Sequence, residues 1–133
     1  MPAIVLDSFA LLALLRDEGG GETVAQLLEN TSQGDELAHM TEVNYAEVQY
    51  IIRRKDGAAA WAVIAEVLKA APIEFHPADR RLADSAADFK SRFKMSLADA
   101  FAAALAKEKK AELVTGDPEF KALTKEIKIV CLK

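Results

Sequence analysis

Four acidic residues stand where an acid is out of place or closes an apolar run: Asp7, Glu47, Asp99 and Asp117. Asp7 follows Ala3-Ile4-Val5-Leu6, and Asp117 comes just after Glu112-Leu113-Val114-Thr115, so each sits at the end of a short run that reads as a strand. On a helix, Glu47 has Val43, Asn44, Tyr50 and Ile51 as its neighbours three and four residues away, a largely apolar face that turns it inward. Asp99 is the single charge in Leu97-Ala98-Asp99-Ala100-Phe101-Ala102-Ala103-Ala104-Leu105-Ala106, a segment apolar all round and hence a buried helix. Singly, most have an ordinary explanation, with Asp7 and Asp99 as helix caps and Asp117 as turn chemistry in Gly-Asp-Pro. Gathered at one edge, carboxylates repel one another and their pKa values rise unless a cation compensates. An all-oxygen donor set suits magnesium or manganese and leaves positions for water and a substrate phosphate. The chemistry that follows is phosphodiester hydrolysis, with one ion or two polarising the phosphate and orienting the nucleophile.

The elements needed to bring these acids together can be read from the pattern of apolar residues. Residues 3–6 form a strand buried on both faces, and 9–16 and 22–29 form a helical pair jointed at Gly19-Gly20-Gly21. Residues 37–40 read as a second strand, after which Thr41 caps a long helix running to about residue 54 and ended by Asp56-Gly57. A helix over 58–70, a weaker strand over 73–75 and a helix over 79–93 come next, the last with Leu82, Ala86, Phe89 and Phe93 on one face. Ser96, with Asp99 three residues on, opens a helix over 97–110 in an Asp version of the capping box. Strands over 112–115 and 127–132, with a turn at Gly116-Asp117-Pro118, complete the chain. Strands alternating with helices predict a parallel sheet covered on both faces, with function at the C-terminal strand ends. Asp7 and Asp117 both belong at that edge.

Composition bounds the reading without deciding it. A chain of 133 residues is the size of one domain, 1–133, and no apolar stretch reaches the roughly 20 residues that a membrane span needs. Met1-Pro2-Ala3 has no basic stretch before the apolar part, so no secretory signal is expected. Cys131 is the single cysteine and cannot form an internal disulfide, which fits a reducing cytoplasm. With His39 and His76 as the two histidines, no thiolate or imidazole set for zinc is expected. Net charge is −4, from 21 acids and 17 bases; leaving out the four acids makes the remainder neutral, so charge neither favours nor excludes a nucleic acid.

In order along the chain, these motifs resemble those of the PIN-domain family, and specifically its VapC-like toxins of toxin–antitoxin pairs. Ile4-Val5-Leu6-Asp7-Ser8 is similar to the family's first acidic motif, and Thr41-Glu42-Val43-Asn44-Tyr45-Ala46-Glu47-Val48 to the helix that carries its glutamate. Ser96-Leu97-Ala98-Asp99-Ala100 resembles the third motif, and Leu113-Val114-Thr115-Gly116-Asp117-Pro118-Glu119-Phe120 the fourth. The resemblance covers essentially the whole chain. It implies a three-layer α/β/α sandwich with a five-stranded parallel sheet, and Mg2+- or Mn2+-dependent endoribonuclease activity. It assigns metal ligation to Asp7, Asp99 and Asp117, with Glu47 as a ligand or as a base acting through water. Ser8 and Thr115 are expected as hydroxyls that orient these carboxylates. It also implies a homodimer and a cognate antitoxin that blocks the site.

Other residues and other classes carry less. Glu42 rivals Glu47, but an acid in the first helical turn simply complements the helix dipole. His39, His76 and Trp61 read as structural, Trp61 in the core or an interface. Lys90, Arg92 and Lys94 interleave with Phe89 and Phe93 and could contact an RNA backbone, although a solvated basic face over two core phenylalanines is the plainer reading. A haloacid-dehalogenase-like phosphatase would need a second aspartate two residues after Asp7, where Phe9 stands. A receiver domain would need its acceptor after the third strand, where His76-Pro77 stands. The alternative that keeps the scaffold is a catalytically silent PIN-type binding module acting within a complex.

Overall fold

The computed structural model describes residues 2–34 and 37–132. Its elements are β1 (Ile4–Leu6), α1 (Ser8–Leu15), α2 (Gly21–Gln33), β2 (Ala38–Thr41), α3 (Glu42–Asp56), α4 (Ala58–Ala70), β3 (Ile73–His76), α5 (Arg80–Arg92), α6 (Leu97–Lys109), β4 (Glu112–Thr115), a 3-10 helix (Pro118–Leu123) and β5 (Ile129–Cys131). The strands form one parallel sheet in the order β3-β2-β1-β4-β5. This is the expected three-layer α/β/α sandwich.

Alternation along the strands sorts the core into two sides. Ile4 and Leu6 of β1, with Val114 of β4, pack with Ala10 of α1 and Val24 and Leu28 of α2. Next to them, Met40 of β2 meets Val48 and Ile52 of α3 and Trp61 and Leu68 of α4. Val5 and Leu113 point the other way, into α5 and α6. Each fully buried Leu, Ile or Phe contributes about 1.5–3 kcal/mol. The alanines of α6, all buried from Ala102 to Ala104, have the small volume that lets this helix lie close to the sheet and to α5. Trp61 is a core residue, edge-on to Tyr45 at 5.5 Å.

Caps set several helix starts, at Thr41 and Ser96 as expected and at Asp79 in addition. The Thr41 hydroxyl accepts the Asn44 N–H, the Asp79 carboxylate that of Leu82, and the Ser96 hydroxyl that of Asp99. Helix α2 runs to Gln33, past the expected end at residue 29, and two further elements depart from the sequence reading. Residues after Pro118 do not stop at a turn but continue as a 3-10 helix, which a proline at the first position tolerates because that N–H has no partner anyway. The last strand begins at Ile129 instead of residue 127, because the Ile127 N–H bonds back to the Leu123 carbonyl while its side chain is buried beside α5 and α6. The glycine joint between α1 and α2 is a tight corner: a Cβ on Gly21 would lie 2.6 Å from the Ala13 carbonyl oxygen.

The basic segment of α5 is occupied by the protein itself. Arg92 lies over the Phe89 and Phe93 rings and is paired with Asp88 at 2.9 Å and Glu126 at 2.8 Å. These carboxylates hold its guanidinium above its ordinary pKa, and Lys90 donates to the Met95 carbonyl. Phe89 is fully buried, which removes it as a platform for a base. Among the described residues, no helix is long and apolar enough to cross a membrane.

Candidate active site

Strand order reverses between β1 and β4, whose neighbours lead away in opposite directions, and this leaves a crevice at their C-terminal ends. Asp7 and Asp117 follow those two strands. Asp7 caps α1, its Oδ1 accepting the Ala10 N–H at 2.8 Å, while its Oδ2 accepts the Thr115 hydroxyl at 2.5 Å. Capping uses one lone pair of Oδ1, and each oxygen keeps acceptor capacity. The same Thr115 oxygen accepts the Asp117 N–H at 3.0 Å, so one hydroxyl fixes both acids. Asp117 in turn caps the 3-10 helix through the Glu119 N–H.

Asp99, at the first turn of α6, completes the inner cluster. Ligand oxygens from Asp99, Asp117 and Glu119 lie within 4.8 Å of one another. Glu47 of α3 shares a groove of about 450 Å3 with Asp99, Asp117, Glu119, Ser8, Phe9 and Ser96. Glu42 is exposed and lines a different hollow, with Tyr45, Leu68 and Lys69. The structure therefore places Glu47, and not Glu42, beside the other acids.

Electrostatically the site is under strain. Burial raises the Asp7 carboxyl to a pKa of about 7; its hydrogen bonds from Thr115 and Ala10 resist this, and the charges of Asp99 and Asp117 add to it. Asp99 rises to about 6, again chiefly through burial, then through the Asp117 charge, with Glu47 a smaller contribution. No lysine or arginine is among the described residues that line the groove. Clustered carboxylates that lack a compensating base are a donor set that a hard divalent cation fits, because the ion removes the repulsion and replaces lost hydration.

Two polar residues of this region carried little signal in the sequence. Glu119, one turn past Asp117, joins the cluster because the 3-10 helix folds back where a turn was expected. Asn44 is fully buried and donates to the Ser8 hydroxyl at 3.1 Å and to the Ala98 carbonyl at 3.2 Å. It thereby ties the start of α3 to α1 and α6, and it is this amide to which the Ser8 hydroxyl is joined. A polar side chain on the face shared with Val48 was its one visible sign.

Phe9 lines the groove and packs on Gly116. A Cβ on Gly116 would lie 2.1 Å from the Phe9 ring, so the ring rests directly on the backbone between Thr115 and Asp117.

Comparison with known proteins agrees with this geometry. The family model described as PIN domain matches residues 4–126. No curated protein gives a significant sequence match. Among solved structures, the DNA-bound VapBC of Salmonella typhimurium superposes with a TM-score of 0.79 at 14% identity, covering 98% of each chain. VapBC2 of Rickettsia felis, bound to a DNA fragment from its promoter, gives 0.77 at 14% identity over 98% of this chain and 99% of that one. VapC20 of Mycobacterium tuberculosis, described as a Sarcin-Ricin loop cleaving toxin, gives 0.73 at 18% identity, covering 90% and 94%. Likeness at these identities is likeness of fold.

Proposed function

We propose, from the premise that this chain belongs to the PIN domain family, that it is a metal-dependent endoribonuclease and the toxin of a toxin–antitoxin pair. The observation that carries the reading is the carboxylate cluster at the β1/β4 switch point, where burial and then mutual repulsion raise the pKa values of Asp7 and Asp99, and no lysine or arginine is among the described residues lining the groove. Asp7, Asp99 and Asp117 would hold Mg2+ or Mn2+, and Glu119, with a carboxylate oxygen within 4.8 Å of those of Asp99 and Asp117, would assist. Such an ion supplies Lewis acidity toward the phosphate and offsets charge on the leaving oxygen.

The protein's own groups then have distinct tasks. Thr115 fixes the Asp7 carboxylate and the Asp117 backbone relative to each other, so two ligands far apart in sequence move as one unit. Ser96 and Asn44 hold the starts of α6 and α3, and so the spacing of Asp99 and Glu47 across the groove. Glu47, half-exposed at the groove wall, would take a proton from an attacking water. In this reading residues 1–133 act as one PIN-like domain, as a cytoplasmic homodimer whose groove a cognate antitoxin covers; the likeness to VapBC assemblies supports the antitoxin partner.

The test is cleavage of total cellular RNA by antitoxin-free protein with magnesium, with manganese and with chelator, beside Asp7→Asn. Discrete metal-dependent products that vanish in the variant are expected. A folded, metal-binding protein that leaves every RNA intact would overturn the enzyme reading in favour of a binding module.

A further inference from the structure

We propose a second metal site, for a zinc-type divalent ion, formed by His39, Glu74 and His76 on the opposite side of β2 from α3 and α4. Parallel register places His39 of β2 beside Glu74 of β3, and His76 lies two residues further along the same strand on the same face. Register with Val5 puts this face on the α5 and α6 side, away from Met40, which packs under α3. Donor atoms of the three side chains lie within 4.8 Å of one another. His39 Nδ1 is 2.8 Å from His76 Nε2 and 3.8 Å from Glu74 Oε2.

Those distances suit a chelate. Two nitrogens bound to one tetrahedral zinc at 2.0–2.1 Å stand roughly 3.3 Å apart, so the rings need to separate by only about half an ångström. At present the imidazoles share one N–H between them. Metal entry takes that position, and the proton moves to the far nitrogen of the same ring, leaving both rings neutral. His39 is buried, and its strand restricts it, whereas Glu74 is exposed and His76 half-exposed, so an ion can enter from the solvent side, with water as the expected fourth ligand. Two imidazoles and one carboxylate favour zinc and its late first-row neighbours, while magnesium prefers oxygen alone. The ion would clamp the sheet's edge strand β3 to β2, next to Thr41, which caps the helix carrying Glu47.

Sequence reasoning discounted zinc because it counted histidines and cysteines only; Glu74 supplies the third donor.

The test uses untagged full-length protein and Zn2+ itself, titrated in competition with a chromophoric chelator. An Asp99→Asn/Asp117→Asn background removes zinc binding at the carboxylate groove. One equivalent of zinc is expected to bind in that background, undisturbed by excess Mg2+, and to raise the Tm. Adding His76→Gln should weaken binding more than about 100-fold, beyond the 10–100-fold loss that removal of an outer-shell partner causes. Glu74→Gln, at an exposed position, gives a second reading if His76→Gln folds poorly, and should weaken binding at least about tenfold. Nitrogen-detected histidine NMR should show His39 protonated on Nε2 and His76 on Nδ1 with zinc bound. Zinc binding that disappears in the Asp99→Asn/Asp117→Asn background, or survives unchanged in both His76→Gln and Glu74→Gln, overturns the site.

Discussion

Replacing Asp7 by asparagine should stabilise the metal-free protein above neutral pH while abolishing its response to magnesium. The Asp7 pKa rises from 3.8 to about 7 on folding, so the native state holds this proton more tightly than the unfolded chain. Stability therefore falls as pH rises from about 4 toward 7, and the full cost is present above 7. Three pKa units at about 1.4 kcal/mol each put that cost near 4 kcal/mol. Asparagine caps a helix as well as aspartate does, so the bond from Ala10 survives. The Thr115 hydroxyl loses its acidic acceptor, which costs about 1 kcal/mol. The net expectation is that Asp7→Asn is about 2–3 kcal/mol more stable than wild type at pH 8 in chelator, and equal or slightly weaker at pH 4. Urea denaturation of both proteins at the two pH values measures this, because the difference cancels the contributions of titrating groups that do not interact with Asp7. Excess Mg2+ should then raise the stability of wild type but not of the variant. A variant no more stable than wild type at pH 8 would refute the claim that an uncompensated buried carboxyl, awaiting a cation, lies at the centre of this site.

Two further perturbations probe the groove. Gly116→Ala should displace the Phe9 ring, the half-exposed end of a movable side chain, so the Tm should change little while RNA cleavage falls; a large loss of stability would mean that the backbone yields instead. Glu47→Gln should abolish metal-dependent cleavage and Glu42→Gln should leave it within about twofold, since a surface substitution away from such features changes little; the reverse pattern in parallel cleavage assays would exchange their roles.

Much of this site was legible before folding was considered. Asp99 stands out because one charge in an apolar helix is conspicuous, whereas Asp7 and Asp117, each following a run of strand length, gain weight only from sharing one sheet edge. The runs and the lone charge are local signals, set by periodicities of two and 3.6 residues. Thr41 and Ser96 could be read as caps for the same reason, since a cap bonds only to its own first turn. The 3-10 helix was missed because proline after Asp117 marks a turn and a short helix equally well.

What the chain itself determined, then, is which segments are strands and helices and which acids close them. Tertiary structure decided the rest. Thr115 reaches Asp7 across 108 residues, and His39 meets His76 across 37, through strand order and register that no local pattern encodes. The raised pKa values of Asp7 and Asp99 likewise exist only once helices exclude water from them, because desolvation depends on everything packed around a carboxylate and not on its neighbours in sequence.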